Sequence, residues 1–451
     1  MKFEDVIKLI EKKDFSAAKQ LAQSIESDIE RLNILGIINF YENNLDDALK
    51  DFKNALEIAP THNDVLFNYA KVLFEKGEYF ESWRYLTRIS DKSWEIWDML
   101  GDTQFKSGNM PMALHYYKKA YDMSNLSELK TKYDSLRNQY HTGKKFAILC
   151  LPGLDNFIHN ISEILSHVYD VKLVVSADSK EIQEAYSWAD IVWLEWANEM
   201  AVAITNNLPK GTKKIICRLH RYEAFANYTR NINWKNVDRL ILVAEHIGDV
   251  LKEYHSNAYE KFRDKIVVVP NGLDLCKFDF RPRGHGYNIA IVALINHRKD
   301  PAAWLQVIGY LKQIDPRYTL HIAGSFQEIH YQNYFEHFIK EADLEENVKL
   351  YGHIKDIAKF LEDKNYILST SIHEGHPYNI MEAMARGIKP IIHNYEGAKV
   401  QWPEKLVYNF IFEIPKIIES EYSSERYRKH VEDNYSLERQ MEKILYLIIT
   451  L

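Results

Sequence analysis

The chain has 451 residues, 46% hydrophobic and 27% charged, with a formal net charge of −7. That length predicts roughly two to four domains, and the acidic balance disfavours nucleic acid and anionic lipid as partners. The cysteines Cys150, Cys217 and Cys276 show no C-x-x-C spacing and each adjoins an apolar run, which predicts buried thiols in a reducing compartment rather than disulfides or a metal site. No apolar run reaches the length of a membrane span, and the N-terminus is amphipathic rather than signal-like, so a cytoplasmic protein is expected.

Residues 1–125 repeat. Leu35-Gly36, Tyr69-Ala70 and Leu100-Gly101 recur at spacings of 34 and 31, and Ala17, Ala48, Ser82 and Ala113 recur at 31, 34 and 31. Phe52 and Ala55 follow Ala48 as Tyr117 and Ala120 follow Ala113. Small residues at those places let paired helices approach, and large ones fill the gaps between them. Asn43-Asn44, Lys76-Gly77 and Ser107-Gly108 read as turns between helices. The pattern resembles the tetratricopeptide repeat, with about three full units and an N-terminal half unit. A polar helix within 126–143 caps the array. Such arrays present a concave surface that holds a peptide or protein. Residues 1–125 carry 16 Lys+Arg and 21 Asp+Glu, so that surface is acidic. Trp83, Trp94 and Trp97 are read as repeat core, with groove lining as the alternative.

Residues 144–275 alternate short apolar runs with helical patterns. Lys145–Cys150, Val171–Val175, Ala189–Glu195, Lys214–His220 and Val237–Val243 read as strands of a parallel, doubly wound sheet. The first turn holds only Gly153, so no dinucleotide fingerprint is present. His220 ends a strand at the expected cleft edge, and Asp155 and Glu223 lie near the same edge as candidate acceptor contacts. Val267–Asp274 reads as a structural turn, with Asp274 bracing it.

Residues 276–451 read as a second Rossmann-like domain. Tyr287–Ala293 is its first strand and runs into Arg298-Lys299-Asp300-Pro301. Thr319–Ala323 ends in Gly324, Asn347–Gly352 ends in His353-Ile354, and Tyr366–Ser369 runs into Ser371–Gly387. In that last stretch Pro377 suits the first helical position, Met381 to Ala385 are good helix formers, and Gly387 stops the helix. Glu374 therefore sits in a strand-to-helix turn and Glu382 on the helix eight residues later. A helix N-terminus favours an anion, and two carboxylates beside it suit a ligand with both phosphates and hydroxyls.

This segment resembles the E-x7-E motif of the family 4 retaining glycosyltransferases, which have the two-Rossmann B-type fold. The resemblance spans roughly 145–451 and includes Val267–Asp274 and the closing helix that ends at Leu451. It implies a nucleotide-sugar donor, most simply a UDP-sugar. Glu382 would hold the ribose hydroxyls and Glu374 a donor-sugar hydroxyl, with His220 meeting the sugar from the opposite domain. Lys299 stands at the family's diphosphate lysine. The family's arginine place holds Leu294, a departure for which Arg298 is the substitute. Gly324, His353, Ile354, Gly375, His376, Pro377 and Tyr378 complete the expected nucleotide-sugar contacts, and Gly397 stands at a glycine turn near the cleft. No D-x-D pair occurs, so transfer without metal is expected, with no permanently bound cofactor. The expected fold is thus an α-helical repeat followed by two Rossmann-like domains facing a cleft. The expected function is retaining glycosyl transfer to a protein hydroxyl recognised with help from the repeats. The alternatives are a lipid-linked or surface-glycan acceptor, with the repeats docking the enzyme in a synthase complex, and a binding scaffold with a degenerate transferase domain.

Overall fold

The repeat signature folds as helical hairpins. The computed structural model describes residues 2–451. Its first unit comprises Met1–Thr142 with Glu163–Val168 and Asp274–Arg281. It contains α1 (Lys2–Glu11), α2 (Phe15–Ala22), α3 (Asp28–Tyr41), α4 (Leu45–Ile58), α5 (Asn63–Glu75), α6 (Tyr79–Arg88), α7 (Trp94–Lys106), α8 (Met110–Ser124) and α9 (Ser127–Tyr140). Among the described residues four hairpins form, α1–α2 to α7–α8, rather than three and a half. Each turns through one left-handed residue, Lys13, Asn43, Gly77 or Gly108. The first escapes the sequence pattern because lysine, not glycine or asparagine, holds that conformation and α1 carries no Leu-Gly pair.

The glycines of the repeat have a steric cause. A Cβ on Gly36 would lie 2.6 Å from the Phe52 ring, and one on Gly101 would lie 2.3 Å from Tyr117. The aromatic residue of each second helix thus occupies the space a side chain would need. Phe52, Ala48, Ala55, Val65 and Val72 form one continuous core cluster. Trp83 is fully buried in the core, whereas Trp94 and Trp97 are only half-buried. Lys132 on α9 reaches back to Asp98 and Asp102 of α7 at 2.7 and 2.8 Å.

The second unit comprises Gly143–Ser162, Tyr169–Leu273 and Pro282–Leu451, and it holds two six-stranded sheets. The first is made of β1 (Lys145–Cys150), β2 (Asp170–Val175), β3 (Ile191–Glu195), β4 (Lys214–Leu219), β5 (Arg239–Leu242) and β6 (Ile266–Val268). Its order is β2-β1-β3-β4-β5-β6, parallel throughout. The second is made of β7 (Asn288–Val292), β8 (Thr319–Ala323), β9 (Val348–Gly352), β10 (Tyr366–Ser369), β11 (Lys389–His393) and β12 (Val407–Tyr408). Its order is β12-β11-β10-β7-β8-β9, also parallel. The near-continuous apolar runs of β1, β3 and β10 are what strands covered on both faces require.

Both orders reverse direction once, between β1 and β3 and between β7 and β10. In open α/β sheets ligands bind outside the carboxyl ends of the strands at such switch points. The loops leaving β1, β3, β4, β7 and β10 are therefore the ones that can build a site. The closing helix Leu437–Ile449 returns to the first sheet's side, where Leu273 pairs with Ser436. A Cβ on Gly272 would lie 2.8 Å from the Leu437 backbone. Cys150 and Cys217 are buried and Cys276 is half-buried, and none of the three forms a disulfide among the described residues. Among the described residues no helix is long and apolar enough to cross a membrane.

Candidate active site in the cleft

Loop geometry brings Glu374 and Lys299 together. β7 ends at Val292, and Asn296 Oδ1 then accepts from the Arg298 N–H at 3.2 Å, curling His297–Lys299 into a single 3-10 turn. Asp300 follows in the left-handed region at φ 45°. The Ile372 N–H donates to the Arg298 carbonyl at 3.1 Å, so this loop is tied to the one leaving β10. The Lys299 ammonium forms an ion pair with Glu374, and Ser371 donates to the same carboxylate oxygen at 2.8 Å. The Glu374 backbone is held from the first sheet's side, where His246 Nε2 donates to its carbonyl at 2.9 Å. Gly397 makes room for that imidazole: it sits at φ 87°, and a Cβ there would lie 2.2 Å from His246 Nδ1.

The helix that follows spans Tyr378–Ala385, and among the described residues no side chain caps its N-terminus. Pro377 is the residue before the helix rather than its first residue; its extended ψ of 121° keeps it outside. Glu382 lies half-buried on this helix. Among the described residues its carboxylate has no hydrogen-bond partner, and burial raises its pKa above the usual value. A carboxylate held without a protein partner beside a helix end is available to a ligand's hydroxyl pair.

Two expected contacts change character. His376 is buried, its ring stacked on Trp402 and set edge-on to Tyr435 at 4.4 Å. Burial drives its pKa to about 3, and among the described residues neither ring nitrogen has a partner. The Tyr378 hydroxyl donates to the Gly272 carbonyl at 3.1 Å while its ring stacks on Phe157. Both side chains are thus engaged in packing, which leaves backbone N–H groups as their means of meeting a ligand, and Pro377 has none. Gly375 lets the loop close on the first sheet, since its Cβ would stand 3.2 Å from Arg221 Cβ and 3.4 Å from Val243. Gly324 is explained by close approach, its Cβ position lying 1.7 Å from the Ala293 carbonyl. His353 is exposed beyond β9, and Ile354 packs against the core beneath.

From the first sheet, His220 follows β4 and lines the cleft with Phe157, Trp196, Arg221, Arg298 and Glu374. Its ring is stacked on Trp196 at 3.9 Å and Phe157 at 5.2 Å. Trp196 has φ 74°, a strained conformation for an aromatic residue. Behind His220 lies Glu195, fully buried, which accepts from His220 Nε2 at 2.9 Å, from Trp193 Nε1 at 2.7 Å and from Arg218 at 3.4 Å. Burial alone would raise the Glu195 pKa, but Arg218 and the two hydrogen bonds outweigh it and hold it below the usual value. The Arg218 guanidinium also donates to Asn271, whose amide faces the His376 carbonyl at 3.4 Å.

Glu223 is not an acceptor contact. It is fully buried and its carboxylate accepts from the backbone N–H groups of Ala197 and His220 at 3.1 and 3.2 Å, bracing both loops. Burial lifts its pKa to about 8. Asp155 is half-exposed and paired with His159 at 2.6 Å. Two residues escaped the sequence reading. Glu195 looked like the end of a strand. Arg221 follows the same strand end as His220 and has no role assigned from the sequence, yet Arg298 and Glu374 both act on it, and burial first and Arg298 second lower its pKa. Neither the Arg221 nor the Arg298 guanidinium hydrogen-bonds to any carboxylate among the described residues.

Residues 277–441 match the family model "Glycosyl transferases group 1". The TPR repeat-containing protein MJ1428 of Methanocaldococcus jannaschii is 28% identical over 152 residues, which are 32% of this chain and 25% of that protein. The chain therefore spans about a quarter of the length of this curated relative. Anabaena Alr3699/HepE, solved in complex with UDP, superposes with a TM-score of 0.57 at 14% identity, over 68% of this chain and 100% of its own. The lipopolysaccharide outer core galactosyltransferase WaaB superposes with a TM-score of 0.55 at 16% identity, over 68% of this chain and 99% of its own. The chain thus carries a group 1 glycosyl transferase domain within a two-Rossmann B-type fold, preceded in sequence by tetratricopeptide-like helical repeats.

Proposed function

We propose that the cleft binds a nucleotide-sugar, most simply a UDP-sugar, and transfers the sugar with retention to a protein hydroxyl. The observation that carries this reading is that Arg221 and Arg298 line one cleft and that neither guanidinium hydrogen-bonds to a carboxylate among the described residues. Glu374 and Glu223 offset part of the repulsion that Arg298 exerts on Arg221, and a bound anion between the two guanidinium groups would offset more. With Lys299 and the N-terminus of Tyr378–Ala385, they suit a diphosphate whose charge grows as the sugar bond breaks. These groups could neutralise that charge without a metal ion. Glu382 accepts the ribose hydroxyls, and Glu374, steadied by Lys299 and Ser371, accepts from the sugar. The bond from the anomeric carbon to the phosphate oxygen breaks, and the acceptor oxygen bonds to the same face. The acceptor proton passes to the leaving phosphate. The fold neighbour HepE is a UDP complex, which supports the choice of nucleotide.

The repeat unit supports the protein acceptor. A groove of about 970 Å3 runs between α3 and α5, with Ile29, Ile37 and Phe67 in its wall and Asn33 bonded to Asn68 at 3.0 Å. Glu26, Glu30 and Asp64 line it, and among the described residues no lysine or arginine does. A basic, hydroxyl-bearing peptide segment complements that surface. The double variant Glu30→Lys with Asp64→Lys should weaken transfer to protein acceptors several-fold while slow hydrolysis of the donor continues; unchanged transfer would remove the protein acceptor. One observation favours a glycan acceptor instead. Phe157, Trp196 and Tyr222 line the cleft, and aromatic faces also suit a sugar ring. Transfer to glycan extracts but not to protein would select that reading.

A further inference from the structure

We propose that Glu195 is a positioning residue for sugar recognition: it fixes His220 as the tautomer protonated at Nε2, so that Nδ1 faces the cleft as a hydrogen-bond acceptor for a hydroxyl of the donor sugar. The inference rests on the donor-site reading above. Its geometric basis is independent of that reading.

Glu195 has no exposed surface, and both its oxygens are occupied: one by the Trp193 indole N–H at 2.7 Å, the other by His220 Nε2 at 2.9 Å and Arg218 at 3.4 Å. An ionised carboxylate only accepts, so the proton in the Glu195–His220 bond belongs to Nε2. Arg218, itself 1% exposed, keeps Glu195 ionised. Burial, the largest influence on His220, keeps the ring neutral despite the carboxylate. A neutral imidazole with its proton on Nε2 carries a lone pair on Nδ1. Among the described residues Nδ1 has no partner, and His220 lines the cleft cavity. The ring cannot readily flip to exchange the two nitrogens, because Trp196 and Phe157 flank it. The same network continues through Arg218 to Asn271 and the carbonyl of His376, joining the histidine to the loop that carries Glu374. Glu195 meets no ligand itself, since it has no surface to offer one.

Two measurements test this on the full chain. In 15N-histidine-labelled protein without donor, with His220 signals identified by their loss in His220→Asn, Nε2 should be protonated and Nδ1 unprotonated at neutral pH. Glu195→Gln should give a mixture of tautomers, because an amide side chain can present either a donor or an acceptor to the ring. In the same variant, hydrolysis of a UDP-sugar should fall by about 10–100-fold, while calorimetric affinity for UDP, which lacks the sugar, should be unchanged. A proton on Nδ1 in the unmodified protein, or an identical tautomer in Glu195→Gln, would overturn the proposal. So would equal loss of UDP affinity and hydrolysis, which marks a merely structural acid. If UDP does not bind the unmodified protein at all, the donor-site reading fails, whatever the tautomer.

Discussion

Glu223→Gln should make the protein more stable, and increasingly so as pH rises from 5 to 8. The Glu223 carboxyl is fully buried, and burial lifts its pKa from 4.5 to about 8. Between those values the folded protein holds a proton that the unfolded chain has released. Stability therefore falls as pH rises from about 4.5 and levels off above about 8. Each pH unit corresponds to about 1.4 kcal/mol, so the full interval corresponds to roughly 4–5 kcal/mol. Glutamine keeps an oxygen for the Ala197 and His220 N–H groups but cannot ionise. Urea unfolding followed by tryptophan fluorescence at pH 5, 6, 7 and 8 gives the difference between variant and parent directly, and pH effects common to both cancel. That difference should widen steadily to several kcal/mol. A difference that is flat across this range would show that Glu223 titrates normally and that its burial has been misjudged.

Arg221→Ala and Arg298→Ala should each weaken UDP binding by about 10-fold or more, the scale of a lost charge-assisted hydrogen bond. Each should leave the empty protein as stable or slightly more so, because a like-charge neighbour is removed; calorimetry and thermal unfolding read the two opposite effects. Gly397→Ala should lower stability by about 1–3 kcal/mol, since φ 87° disfavours a side chain and the new methyl would meet His246 at 2.2 Å. Displacing His246 should also release the Glu374 carbonyl and weaken donor binding, which a Glu374 backbone held by other groups would not do.

The parallel sheets were legible because strands covered on both faces must be apolar runs, as Phe146–Cys150 and Tyr366–Leu368 are. β12 was not, because two residues, Val407 and Tyr408, carry no pattern. The Glu374–Lys299 pair was within reach of the sequence: one loop leaves β10, the other leaves β7, and these strands are neighbours at a switch point. The direction of each side chain was not legible. His376 and Tyr378 stand in the motif, but whether they face a ligand or a core depends on Trp402, Tyr435 and Phe157, which arrive from distant segments. Glu223 and Glu195 show the same limit. Each is an ordinary acid in sequence, and only the tertiary fold decides that one braces backbone N–H groups and the other holds an imidazole. Arg221 gains its meaning from Arg298, seventy-seven residues away in sequence.

The central claim is that this cleft holds a nucleotide-sugar with Glu382 on the ribose. Calorimetric titration of UDP into the unmodified chain and into Glu382→Ala, with thermal unfolding to confirm that the variant is folded, tests it most directly. UDP should bind the unmodified chain saturably and the variant at least about 10-fold more weakly, from the loss of hydrogen bonds to a charged acceptor. Equal affinity in both proteins, or no binding of UDP to either, would contradict it.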